Sequence, residues 1–163
     1  MISPIIRSMI VLLIVLQWLH VFTAIFWFGS VLFVDFILIP TVQTMDGPIR
    51  GAVMGPLGNR IEKFLTPLGM AVVTLGFLRG LAGNVFGNLS SAYGITFIAS
   101  LVLGIVIVVY GLRLLRPLAQ AIGRTPPGPE QDAMVARLKV LTIAELFMFL
   151  LIVTFMILMR FGY

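Results

Sequence analysis

Long runs of apolar residues, interrupted at few positions by polar side chains, make up most of this chain. A helix needs about 20 residues, at 1.5 Å of rise each, to cross a hydrocarbon core about 30 Å thick. Four runs reach that length, at about residues 9–39, 64–82, 93–115 and 140–159. We therefore predict four membrane-spanning helices, with Pro40 ending the first and Pro67 lying in the first turn of the second.

These four helices predict an all-α fold, an integral membrane antiparallel four-helix bundle that occupies residues 1–163 as a single domain. The stretch from Thr41 to Arg60 is expected to be a loop rich in Gly and Pro, and residues 123–129 a linker that cannot propagate a helix. Neither connection is long enough to fold as a further domain. The first apolar run is too long for a cleavable signal peptide, so it is expected to remain as a span.

Composition strengthens the membrane prediction and removes several classes of chemistry. Hydrophobic residues make up 60% of the chain and charged residues 10%, whereas a soluble domain has about 25% charged residues. The absence of cysteine excludes disulfides, thiolate metal sites and cysteine nucleophiles. No Ser/His/Asp set, phosphate-binding loop or pair of carboxylates at one depth is evident, so an independent enzyme is not expected; any activity would be that of an oxidoreductase.

The basic residues predict the orientation of the chain. Eight lie in the first and third loops, namely Arg50, Arg60, Lys63, Arg113, Arg116, Arg124, Arg137 and Lys139. Only Arg7, Arg79 and Arg160 lie at the termini or in the middle loop. The first and third loops are therefore expected in the cytoplasm and both termini outside, in a bacterial inner membrane. Because the charges flank apolar runs, the expected partners are the lipid bilayer and a homo-oligomer or larger membrane complex, with no nucleic acid.

Ionisable side chains inside a span are costly and often functional, and three candidates emerge: His20, Asp35 and Glu145. His20 is expected roughly 10–15 Å below the outer surface. At that depth the neighbouring helices present residues 72–74, 100–104 and 148–156. Structural ion pairs are expected for the two acids, Asp35 with Arg60 or Lys63, and Glu145 with Arg137, Lys139, Arg113 or Arg116.

Two further patterns bear on a ligand. Along the fourth helix, Met148 and Met156 share a face with Glu145 and Met159. Thioether and imidazole together bind copper(I), and a His/Met pair binds haem iron, although methionine is also common filler in apolar helices. Small residues line the second and third helices, at Gly69, Gly76, Gly80, Gly83, Ser100, Gly104 and Gly111. They predict either close helix contacts or a flat cavity for a ring-shaped ligand.

The first helix carries the pattern His20-x6-Trp27-x-Gly29, followed by Phe33 and Pro40. It resembles the first-helix signature of bacterial membrane proteins that include the copper-resistance D (CopD) family, HemJ-type protoporphyrinogen oxidases and the membrane domain of cytochrome-linked urate oxidases. The segment from residue 141 to 163 is similar to the last helix of small copper-resistance-like proteins.

The resemblance implies that His20 binds haem or a metal and that Trp27 forms a wall of the pocket. The chain has no second histidine and no lysine inside a predicted span. The resemblance therefore implies a ligand role for His20 but not the oxidase activity of HemJ-type proteins. We expect a haem b-binding protein with an electron-transfer or haem-handling role, in which His20 is an axial ligand opposite Met148, Met156 or an open position. One alternative is copper handling by His20 and methionines. Another is a non-catalytic accessory subunit, in which His20 only hydrogen-bonds a carbonyl or hydroxyl.

Overall fold

The computed structural model describes residues 3–163, apart from the side chain of Glu62. Within that part of the chain all regular structure is helical and no strand occurs. The four long helices are α1 (Pro4–Gln43), α2 (Gly47–Ala82), α3 (Ala92–Ile122) and α4 (Pro129–Arg160), and each is long and apolar enough to cross a membrane. The predictions of an all-α fold and of four long apolar helices are therefore confirmed.

Serine residues define the beginnings of two helices. The Ser3 hydroxyl accepts a hydrogen bond from the main-chain N–H of Ile6, and the Ser91 hydroxyl accepts one from Gly94. These bonds satisfy N–H groups that have no partner inside the helix. Between α2 and α3 the chain forms one short 3₁₀ helix, Val85–Asn88.

The first helix continues through Pro40, so the prediction that this proline ends it is wrong. An α-helical segment, Pro4–Phe33, is followed by a π-helical turn, Val34–Leu38, and then by the α-helical segment Ile39–Gln43. A proline ring normally clashes with the carbonyl four residues earlier. That carbonyl, on Phe36, belongs here to the π turn, whose wider winding accommodates the ring.

The third helix also contains a π turn just before a proline. Its segments Ala92–Tyr110 and Arg116–Ile122 are joined by a second π turn, Gly111–Leu115. Pro117 lies two residues after the end of this turn, and the carbonyl four residues before it, on Arg113, again lies within the turn. The helix therefore extends seven residues beyond Leu115, the end of the apolar run.

The second helix corrects two predictions. It begins at Gly47, so most of the expected loop from Thr41 to Arg60 is helical. Pro56 and Pro67 both lie inside the helix, and Pro67 is far from its first turn. Helices of membrane proteins tolerate such prolines because neighbouring groups and small local adjustments compensate for the missing hydrogen bond.

Two apolar clusters hold the helices together. One contains Trp27, Val31, Val72, Ile107, Phe149 and Ile152, and so draws on all four helices. The other contains Ile39, Val42, Met54, Ile122, Val135 and Leu138, and lies toward the turn between α1 and α2. Contact is most extensive between α1 and α2 and between α3 and α4.

Buried polar side chains fix the start of α4. The Gln131 amide is fully buried and donates to the carbonyls of Ile122 and Thr125, at 3.2 and 3.1 Å. The Arg50 guanidinium donates to the Asp132 carboxylate and, at 3.0 Å, to the Met45 carbonyl. These bonds connect the beginning of α4 to the end of α3 and the beginning of α2.

The two partners of this ion pair differ in exposure, and this predicts unequal mutational effects. The Arg50 side chain is 10% exposed and that of Asp132 is 66% exposed. We expect Asp132→Asn to lower the free energy of unfolding by about 1–2 kcal/mol more than Arg50→Met, because it leaves a buried guanidinium without its counter-charge. Chemical unfolding of both variants in detergent micelles tests this, and equal losses would contradict it.

Candidate functional site

The imidazole of His20 lies at the contact between α1 and α2. Its Nδ1 is 2.9 Å from the carbonyl oxygen of Val72. Because a carbonyl only accepts hydrogen bonds, Nδ1 carries the proton. The ring also lies against Gly76, where an added Cβ atom would come within 2.9 Å of ring carbon Cε1. Val72 belongs to the stretch predicted to share the depth of His20, so this part of the prediction is confirmed.

The second ring nitrogen, Nε2, is the one with a lone pair in this tautomer. Among the residues that the structure describes, Nε2 has no hydrogen-bond partner. In metal sites, a carbonyl bonded to one ring nitrogen fixes the tautomer and orients the other nitrogen toward the metal. The arrangement at His20 therefore has the donor chemistry of an imidazole that could bind a metal through Nε2.

A basic side chain near this imidazole was not among the candidates from sequence. The Arg79 guanidinium lies close enough to His20 to interact with it electrostatically, and it donates a hydrogen bond of 2.7 Å to the Tyr93 hydroxyl. The sequence carried a signal, because Arg79 follows Gly76 by three residues and shares its helix face. Arg79 places a positive charge beside the ring.

Trp27 lies one heptad after His20 and occupies the equivalent position against Gly69. The indole is 6% exposed, and a Cβ atom on Gly69 would come within 2.8 Å of its Cζ2. On its other side it meets the Phe149 ring edge-on, with the ring centroids 4.7 Å apart. Gly69 and Gly76 are thus spaced to receive Trp27 and His20, which favours close helix contact at these two glycines.

The two candidate methionines lie on the apolar core. Met148 and Met156 are partly buried and pack against the cluster that contains Trp27 and Val72. The structure therefore brings three of the predicted site residues, Trp27, Met148 and Met156, to one core. The contacts described for the His20 imidazole are with α2, at Val72 and Gly76.

Asp35 and Glu145 depart from the expected ion pairs. Neither acid pairs with Arg60, Lys63 or any other basic residue in the described part of the chain. Instead the two carboxyl groups lie close enough to interact electrostatically with each other. The expectation that no carboxylates share one depth is therefore wrong. Asp35 lies near the end of α1 and Glu145 follows the start of the fourth apolar run, and both occur at the same end of the bundle.

The surroundings of these two acids supply little compensation. Both carboxylate oxygens of Asp35 are buried without a hydrogen bond of good geometry, and the polar side chain that interacts with this carboxyl group is Thr142. Glu145 is 8% exposed, and the nearby Thr142 hydroxyl donates to the Lys139 carbonyl at 3.1 Å. Two buried acids side by side are costly in a protein interior, so they are candidates for a functional role.

Neither a search for metal-binding clusters nor a comparison with known proteins assigns a function. Within the described residues, no group of three or more His, Cys, Asp or Glu side chains is placed to hold one metal ion. Comparisons of the chain with protein-family models, with curated proteins and with solved structures give no match. The function must therefore be argued from the geometry of His20 and of the two acids.

Proposed function

We propose that this chain is a multi-pass protein of the bacterial inner membrane, with four antiparallel spans and both termini outside. Its four long helices suit a bilayer in length and hydropathy, and the side chains of α1 are largely exposed and apolar, as lipid contact requires. The contacts of His20 with Gly76 and of Trp27 with Gly69 run in opposite sequence order, which supports opposite directions for α1 and α2.

Within that membrane protein, His20 is proposed to bind haem b through Nε2, in an electron-transfer or haem-handling role. The observation that carries this proposal is the 2.9 Å contact between Nδ1 and the Val72 carbonyl. It leaves Nε2 as the nitrogen able to act as a ligand, and it fixes the plane of the ring. A bound haem b would supply one-electron redox chemistry at that position.

The residues of the chain would set how this imidazole behaves. Val72 and Gly76 together hold the ring against α2, since one accepts its N–H and the other leaves room for it. Arg79 contributes a positive charge nearby, which suits the carboxylate substituents of a porphyrin. Met148 and Met156 would be the source of a second ligand, since both pack on the core that includes Val72.

The proposal is tested by the absorption spectrum of protein purified after haem-replete expression. We expect a Soret band that shifts on reduction, and its loss in His20→Ala because that substitution removes the imidazole that would hold the haem. Gln17→Ala, one turn away on α1, is the matched control and should keep the band. A Soret band retained at full intensity in His20→Ala would refute the role of His20. Copper bound in place of haem, and lost in His20→Ala, would instead favour copper handling.

A second candidate is a non-catalytic subunit of a larger membrane complex. One observation favours it: Trp18, Phe22 and Phe26 form an exposed aromatic stack along α1, with centroids 4.9 and 5.0 Å apart. The role of His20 would then be structural: its hydrogen bond to Val72 would link α1 to α2. A preparation without haem or copper, in stable complex with a partner subunit, would support this function.

A further inference from the structure

A cavity lies in the half of the bundle away from His20. Its volume is about 150 Å³, and its wall includes Trp27, Gly69, Gly111 and Glu145. The remaining wall is mostly aliphatic. Gly111 leaves space beside the acid, since a Cβ atom added there would be 3.8 Å from Glu145 Oε1. The cavity therefore combines an apolar wall with one buried carboxyl group.

The carboxyl group in this wall has no basic partner in the described part of the chain. Glu145 is more than nine-tenths buried and forms no ion pair there. Arg116 also contributes to the wall, but it is not within ion-pair distance of Glu145. Asp35 does not line the cavity, but its carboxyl group is buried close enough to Glu145 to interact with it electrostatically.

Size and chemistry restrict what such a cavity can hold. A cavity of about 150 Å³ with apolar walls accommodates a molecule the size of benzene. Hard metal cations require six or more oxygen ligands, and the wall offers few oxygens beyond Glu145, Thr142 and Thr66. A ligand with an apolar body and one positive charge satisfies both the wall and the acid, and an indole surface also attracts cations.

We propose that this cavity binds a small organic ammonium ion of about benzene size. Its N–H group would donate to the Glu145 carboxylate, and its apolar body would occupy the aliphatic space beside Trp27. Arginine and lysine side chains form no ion pair with Glu145 in the described part of the chain, so the ammonium ion would supply its counter-charge. This site is separate from the proposed haem ligand, and its test does not depend on haem binding.

Trp27 provides a reporter in the wall itself. The chain has two tryptophans, so a Trp18→Phe background leaves Trp27 as the only one. Titration of the detergent-solubilised protein with piperidinium chloride, at mildly alkaline pH and constant ionic strength, should give a saturable change in Trp27 fluorescence. Tetrahydropyran has the same ring shape without the charge, and we expect it to bind at least about tenfold more weakly.

A substitution at the acid completes the test. Glu145→Gln should weaken piperidinium binding at least about tenfold. Glu130→Gln, in the exposed first turn of α4, is the matched control and should leave the affinity unchanged.

Four results would overturn the proposal. These are no saturable response, equal binding of tetrahydropyran, an unchanged affinity in Glu145→Gln, or the same response to sodium chloride alone. The comparison of piperidinium, tetrahydropyran and sodium uses no substitution at the acids, so it decides the question even if Glu145→Gln does not fold.

Discussion

Trp27→Ala should lower the free energy of unfolding by about 3–5 kcal/mol, the range for removing a large buried aromatic side chain. The indole is 6% exposed. It fits against Gly69 of α2 and meets Phe149 of α4 edge-on. Its loss removes contacts with two helices at once and enlarges a cavity that already exists beside it. The loss is mainly one of van der Waals packing, which is the main force between helices in lipid.

Trp18→Ala is the matched control for this prediction. Trp18 lies on the same helix but is 60% exposed, and its described aromatic contact is with Phe22, one turn away. We expect a loss below about 1 kcal/mol, in line with substitutions at exposed positions. Unfolding in detergent micelles, followed by far-ultraviolet circular dichroism, measures both variants. Similar losses would contradict the assignment of Trp27 to the interior.

The four helices could be predicted because the length of an apolar run is a local property of the sequence. Their ends could not. The continuation of α1 through Pro40 depends on the π turn Val34–Leu38, and no residue type in that turn distinguishes it from an ordinary helical turn. Likewise, α2 includes a stretch rich in Gly and Pro because its packing against neighbouring helices outweighs weak local propensity.

The sequence predicted the depth of the candidate site residues along their helices, but not the rotation of each helix about its axis. Counting 1.5 Å per residue correctly placed Val72 opposite His20. The partner of Asp35 depends on how α1 and α4 turn about their axes, which the sequence does not specify. Ion pairs with the nearest basic residues were therefore expected for both acids. In the structure, the carboxyl groups of Asp35 and Glu145 are instead close enough to interact electrostatically with each other. Arg50 and Asp132, which do form an ion pair, are 82 residues apart.

Gly123→Ala should be the second strongly destabilising substitution, with a loss of about 2–3 kcal/mol from overpacking. Gly123 follows the end of α3 at a close approach to the backbone of α2. A Cβ atom at this position would come within 2.8 Å of Gly55 Cα and 2.9 Å of Gly55 N. Because these are main-chain atoms of a helix, no side-chain rotation relieves the clash, and α2 and α3 must separate.

Gly55→Ala is the matched control for Gly123→Ala, because an added Cβ atom has free space at Gly55 but not at Gly123. A Cβ atom added to Gly55 meets nothing within 4 Å, since it points away from Gly123. Gly55→Ala should therefore be neutral or should stabilise the helix by about 0.5–1 kcal/mol, as alanine does in helix interiors. Unfolding in micelles compares the two variants directly. Equal losses of stability in the two variants would mean that α2 and α3 do not meet at Gly55 and Gly123. The close approach that fixes the end of α3 against α2 would then be refuted.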